Sequence, residues 1–257
     1  MKYIEYHTAN RVGFIILNRP EKRNALSYEM VAELKEAFSR AEADDQVKVV
    51  VLKAHGDAFC AGADLAYLQQ LQQFSFDENV ADSERLKDLL LQIYTLNKVV
   101  IAQVQGHALA GGCGLASVCD FIFAVPEARF GYTEVKIGFI PAIVMVFLLR
   151  KIGEAKSKAL LLSGDQILAP AAQQIGLVNS VVEKDALEHE VNAFAQRLIT
   201  TNSGEAMKTT KQMIASIQSL SLEESLTFAS RMNAEARASD DCRKGIASFL
   251  NKQKLSW

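Results

Sequence analysis

Four glycines crowd into the stretch GHALAGGCG, at Gly106, Gly111, Gly112 and Gly114. Glycines at the exit of a strand let a ligand meet bare backbone N–H groups, and a helix starting there adds a partial positive charge. Such a segment suits an oxygen that is, or becomes, negative. A dinucleotide-binding turn would need GxGxxG after the first strand and an acidic residue about 20 positions on, and these glycines do not have that spacing. Close helix–strand packing is the alternative that needs no ligand. Upstream, HGDAFCAGADLAYL (55–68) is a second run of small residues where something can approach the backbone.

Thiol and metal chemistry find less support. Cys60, Cys113, Cys119 and Cys242 form no CxxC pair and have no histidine at metal-ligand spacing, so they read as reduced, mostly buried thiols. Cys113 borders the glycine segment, but nothing in the sequence supplies a dedicated base for it. His7, His55, His107 and His189 are scattered, so no metal site and no Ser-His-Asp arrangement emerges. His107, on the strand exit, reads as a satisfied histidine.

The elements that must hold these segments alternate. Val12 to Leu17, Val47 to Leu52, Val99 to Val104, Phe121 to Val125 and Leu177 to Val182 are short, β-branched or apolar runs that predict buried strands. Ser27 is a predicted N-cap, with Met30, Val31, Leu34 and Phe38 at helical spacing behind it. Gln69 to Ser83 reads as a loop or irregular helix, Ser83 to Tyr94 as amphipathic helix, and Leu115 to Cys119 as a helix after the glycines. Beyond about Ala186 the β signals stop; Leu187 to Leu198, Gly204 to Ile217 and Leu222 to Ala236 read as successive helices. The class is α/β with a helical C-terminal section.

At 257 residues, 49% hydrophobic and 23% charged, the composition is that of a globular chain with a sizeable core. A formal charge of −2 supplies no global field for nucleic acid or an anionic membrane, so an anionic ligand needs local cations. The N-terminal residues lack a secretory pattern, and the apolar run Phe139 to Leu149 contains Pro141 and is too short to span a bilayer. The expected location is the cytoplasm, with no membrane partner.

Five segments then occur in order: NRPEKRNALS (18–27), AFCAGADL (58–65), QGHALAGGCGLASVCDFIFA (105–124), FGYTEVKIGFIP (130–141) and LLLSG (160–164). Together they resemble the crotonase, or enoyl-CoA hydratase/isomerase, family from about Val12 to Val182, with a looser match at GIASFLNKQKLSW. The resemblance implies a ClpP/crotonase-like spiral of β-β-α turns over residues 1–185. It also implies a helical section, 186–257, that assembles a homotrimer or a dimer of trimers. The implied ligand is an acyl-CoA thioester; coenzyme A is then part of the substrate, and no separate cofactor or nucleic acid is expected.

Carried residue by residue, the resemblance makes the backbone N–H groups of Ala63 and Gly111 the donors to the thioester oxygen. It lays coenzyme A along Lys22, Arg23, Ala25, Ala61, Asp64 and Leu65, with Phe249 and Lys252 as further contacts. Lys22 and Arg23 are the phosphate partners by type, while Asp64 is expected to tether its own loop. The acyl pocket would include Gly114, Tyr132, Pro141 and Ala142.

Hydratases of the family carry two glutamates, and here one position holds Gly114 while the other holds Glu134. Two carboxylates can hold a water from both sides; one can still take a proton from one carbon and return it to another. The family's IPGxGG segment is here Ile140-Pro141-Ala142-Ile143-Val144-Met145, which implies a reshaped, more apolar pocket for a short or branched enoyl group, similar to methylglutaconyl-type hydratases. Hydration, 3,2-double-bond isomerisation, decarboxylation, thioester hydrolysis and non-catalytic acyl-CoA or RNA binding all remain open at this point.

Overall fold

A computed structural model describes residues 1–257. The chain begins with strands β1 (Ile4–Ala9) and β2 (Val12–Leu17), helix α1 (Tyr28–Ala43), and strands β3 (Val49–Ala54) and β4 (Ala58–Cys60). Helices α2 (Leu65–Leu71) and α3 (Phe76–Thr95) precede β5 (Val99–Val104), β6 (His107–Leu109) and α4 (Gly111–Ser117). Next come β7 (Phe121–Ala124), β8 (Arg129–Gly131), α5 (Ala142–Ile152), α6 (Glu154–Ser163), β9 (Gln166–Leu168), α7 (Ala169–Gln174) and β10 (Ser180–Val181). Four helices close the chain: α8 (Leu187–Thr201), α9 (Gly204–Ile217), α10 (Leu222–Ala238) and α11 (Asp240–Leu250).

The strands sort into two sheets, ordered β1-β2-β3-β5-β7-β10 and β4-β6-β8-β9. Strands β2, β3, β5, β7 and β10 run parallel, and β1 is an antiparallel edge. Three times the chain lays a strand in the large sheet, steps to the small one, and then turns into helix: β3-β4, β5-β6 and β7-β8. That repeat is the expected β-β-α spiral. It stacks the ends of β4, β6 and β8 side by side, which brings the segments following them together.

Sequence patterning explains the large sheet. Strands β2 and β5 are buried at every position, as a parallel sheet covered on both faces requires. Around them a single cluster of 56 buried residues runs from Ile4 to Ile199. Helix α1 turns Met30, Leu34, Ala37, Phe38 and Ala41 onto that core, and Ser27 caps it by accepting from Met30 N–H at 3.3 Å.

Several boundaries differ from the sequence reading. β1 was not predicted because only its Ile4 is buried, leaving no apolar alternation. β4 lies within a stretch read as loop; three residues are too few for a period to show. α3 starts at Phe76 rather than near Ser83, because Ser75 and Glu78 form a reciprocal capping box. α4 begins on the glycines themselves, not after them. The strand expected over Leu177 to Val182 shrinks to Ser180–Val181, and α11 is a helix the apolar pattern did not reveal.

Candidate active site

The loops after β4 and β6 meet edge to edge. Leu26 and Ala63 form an isolated parallel bridge: Leu26 N–H donates to Gly62 O at 2.7 Å and Asp64 N–H to Leu26 O at 2.9 Å. In a parallel bridge one residue bonds the peptides on either side of its partner, so the N–H of Ala63 itself faces away from Leu26 and is left free. Gly111 opens α4, and its N–H belongs to the first turn, where no intrahelical acceptor exists. Ala63 is exposed and Gly111 half-buried, so neither residue is sealed in the core.

Two backbone features hold these donors close. Gly62 has φ +95°, and a Cβ built there would lie 2.8 Å from Ala110 Cβ, 3.0 Å from Leu109 O and 3.5 Å from Gly111 N. Only glycine permits that approach. Ala110 sits at φ 49°, ψ −125°, a sparsely populated conformation costing about 1–3 kcal/mol. Its N–H donates to Gly131 O at 2.8 Å and its carbonyl accepts from Gly114 N–H at 3.0 Å, so both neighbouring elements enforce the strain. The kink turns β6 into α4, so that Gly111 becomes the first residue of the helix.

Glu134 enters from the adjoining strand. Leu109 of β6 pairs with Gly131 of β8, and three residues later Glu134 opens a 3-10 turn. Its side chain is buried, and Oε2 is the only buried carboxylate oxygen of the chain without a hydrogen-bond partner. Burial pushes its pKa up, offset in part by its own backbone N–H, with no cation contributing. Its charge reaches Cys113 on α4, where it is among the minor influences on that thiol. A carboxylate buried in this way is a stronger base than an exposed glutamate, which suits it to accept and return a proton.

Gly114 lies on α4, one turn beyond Gly111. A Cβ there would fall 2.1 Å from Val144 Cγ1 and 2.8 Å from Val144 Cβ. Val144, buried on α5, therefore occupies the room that a side chain at position 114 would need.

Asp64 caps α2, accepting from Ala66 N–H at 2.9 Å and Tyr67 N–H at 3.4 Å, and its other oxygen pairs with Arg19 at 2.7 Å. Burial alone would raise its pKa, but Arg19 and the two N–H groups outweigh that and hold it below the usual carboxylate range. Lys22, Arg23 and Leu65 are exposed, Ala25 is buried and Ala61 half-buried on the rim of these loops. Pro141 and Ala142 open α5, half-buried and exposed. Tyr132 is fully buried with its hydroxyl 3.5 Å from Ser117 Oγ, which places it in the core beneath α4 rather than on an open wall. Phe249 and Lys252 are exposed at the C-terminal end of α11.

A family model described as enoyl-CoA hydratase/isomerase matches residues 7–257. The chain belongs to that family, within the crotonase superfamily. A Thermus thermophilus relative provisionally named enoyl-CoA hydratase is 40% identical over 242 residues, covering 94% of this chain and 95% of the relative. The crotonyl-CoA hydratase of Syntrophomonas wolfei is 32% identical over 249 residues, covering 96% and 94%. A solved enoyl-CoA hydratase from Mycobacterium smegmatis superposes with a TM-score of 0.93 at 32% identity, covering 99% of this chain and 98% of the other.

Two residues of this family member escaped the sequence reading. Arg19 clamps the first motif to the Asp64 loop, bonding Ala25 O at 3.2 Å as well as Asp64. Asn24 is fully buried at φ 54°; its amide donates to His55 O and Ala58 O, both at 2.9 Å, while its oxygen accepts from Arg19 N–H at 2.8 Å. Both lie in NRPEKRNALS, whose polar residues look like surface loop until their partners are seen. A cavity of about 680 Å³ between α9 and the core, lined among others by Lys151, Met207 and Lys211, includes neither Glu134 nor the two donors. The site is marked by unpaired polar groups, not by volume. No helix is long and apolar enough to cross a membrane.

Proposed function

We propose that this protein acts on a short or branched enoyl-CoA thioester through an enolate, with Glu134 as its acid–base group. The observation that carries the reading is the buried, unpartnered Oε2 of Glu134, in the turn after β8, whose Gly131 pairs with Leu109 at the end of β6. In this reading the Ala63 and Gly111 N–H groups receive the thioester oxygen. Preorganised donors stabilise the charge that develops there when a proton leaves the neighbouring carbon or a nucleophile adds further along. Coenzyme A lies over the exposed rim at Lys22, Arg23 and Leu65, and Asp64 holds the Ala63 loop in place. No cofactor beyond the substrate's own coenzyme A is needed, since the donors are backbone and the proton carrier is a side chain.

The names of relatives favour water addition across a 2,3-double bond. The absence of a carboxylate at Gly114 favours moving a 3,4-double bond to the 2,3-position, for which one base suffices. Assembly through the C-terminal helices belongs to the same reading and is supported by the exposure of Leu222, Leu226 and Phe249. The test is a substrate survey: 2-enoyl-CoA and 3-enoyl-CoA thioesters from four carbons upward, straight and branched, with products identified by mass spectrometry. Best turnover on short or branched chains is expected. Best turnover on long chains would reject the pocket, and coenzyme A binding without turnover of any thioester would reject the enzyme.

A further inference from the structure

We infer that Val144 is a specificity-determining residue that closes the second-carboxylate position and leaves Glu134 to work unaided. The inference rests on the proposed enoyl-CoA chemistry but is carried by a separate observation, the fit between Gly114 and Val144. Position 114 is not merely without a carboxylate; its space is filled. A Cβ would meet Val144 Cγ1 at 2.1 Å and Val144 Cβ at 2.8 Å, whereas Val144 Cα lies at 3.9 Å, in ordinary contact. Val144 is 3% exposed and belongs to the core, so it cannot swing aside without opening a void between α4 and α5. Gly114 and Val144 therefore act as a size-matched pair, and a glutamate at 114 is admissible only when 144 is nearly bare.

The chemical consequence follows from what each reaction needs. In double-bond migration the Glu134 carboxylate takes a proton from C2 of a 3-enoyl thioester. The C–H electron pair enters the π system, with charge on the thioester oxygen. The same carboxyl then delivers a proton to C4, leaving a 2,3-double bond with no atom gained or lost. In hydration a water oxygen must also bond to C3 while one of its protons goes to a base and another proton reaches C2. A methyl-lined wall at the second position offers that water no acceptor. Proton relocation is thus the step this pair favours.

The test is a double-mutant cycle with two readouts. Gly114→Ala should lower Tm by about 5 °C through overpacking. Val144→Gly should relieve most of that penalty when combined with it, giving a clearly non-additive cycle. Gly114→Glu should fold poorly alone, and Gly114→Glu/Val144→Gly should raise the ratio of hydration to migration about a hundredfold over Val144→Gly alone, the scale of an added general acid–base. A Gly114→Ala variant as stable as the native protein, or an additive cycle, would overturn the packing inference. A folded Gly114→Glu/Val144→Gly protein that partitions like Val144→Gly would overturn its chemical consequence. Should Glu134→Gln retain turnover, the Glu134 reading falls while the stability cycle still judges the Gly114–Val144 pair.

Discussion

Replacing Gly62 by alanine tests whether the meeting of the two loops matters to chemistry. At φ +95° an L side chain is strained by about 1–3 kcal/mol. The new methyl would also press on Ala110 Cβ at 2.8 Å and Leu109 O at 3.0 Å, neither of which is the flexible end of a long side chain. Relief requires the Ala63 loop to draw back from Gly111, so a thioester oxygen can no longer be reached by both N–H groups. Losing one such donor typically costs about 2.7–4 kcal/mol in the transition state, or about 10²–10³ in kcat. Steady-state kinetics on the best thioester, with Tm and calorimetric binding of a saturated acyl-CoA alongside, separates the effects. The expected variant is folded, less stable by a few degrees, still binds the thioester, and is slower by about two orders of magnitude. A variant with kcat within about threefold of the native protein would refute the pairing of Ala63 and Gly111 as donors.

Arg19→Met should destabilise the fold by about 3 kcal/mol, near the low end for a broken buried pair, because Asp64 is left without its cation. Asp64 is held below its usual range, so the stability Arg19 adds is fully present above the unfolded aspartate pKa of about 3.9 and is lost as pH falls from there through the depressed folded value. The Tm gap between native protein and variant should close there in urea- or heat-melts. Cys60, Cys113 and Cys119 are buried with thiols pushed up to about 12, so iodoacetamide at pH 8 should label only the partly exposed Cys242 in the native fold, as intact mass would show. Glu134 has a raised pKa, so its ionised form costs stability at neutral pH; Glu134→Gln should melt no lower than the native protein at pH 7–8, with any gain shrinking as pH drops below the raised value. The acid limb of kcat/KM should likewise sit above the ordinary glutamate range.

The parts of this fold legible in the sequence are those with an internal period. β2, β5 and α1 were readable because burial on both faces leaves runs that are almost wholly apolar, with Gln103 the one polar residue in β5, and burial on one leaves the 3.6-residue stripe. β4, β6 and β8 were not, since three residues paired to distant partners carry no local signature. They nonetheless position the site. The start of α3 was legible in principle through Ser75-Phe-Asp-Glu78, a capping signature the Gln-rich surroundings obscured. At the site, Glu134, Ala63 and Gly111 could be named by likeness alone; why the donors are free required the Leu26 bridge and the Ala110 kink, which depend on long-range register. Arg19 and Asn24 act through partners tens of residues away, and Val144 matters only because α5 lies on α4. No pattern in a single sequence announces such contacts.

The most direct test of the central claim follows the proton at Glu134. Native protein and Glu134→Gln would each be incubated with crotonyl-CoA and a 3-enoyl-CoA in heavy water, and deuterium uptake and product identity read by mass spectrometry. The account predicts turnover by the native protein, with deuterium entering the acyl chain at the carbon that Glu134 reprotonates. It predicts loss of both product and exchange in the variant while acyl-CoA binding persists. Product formation by Glu134→Gln at a rate near that of the native protein would contradict it.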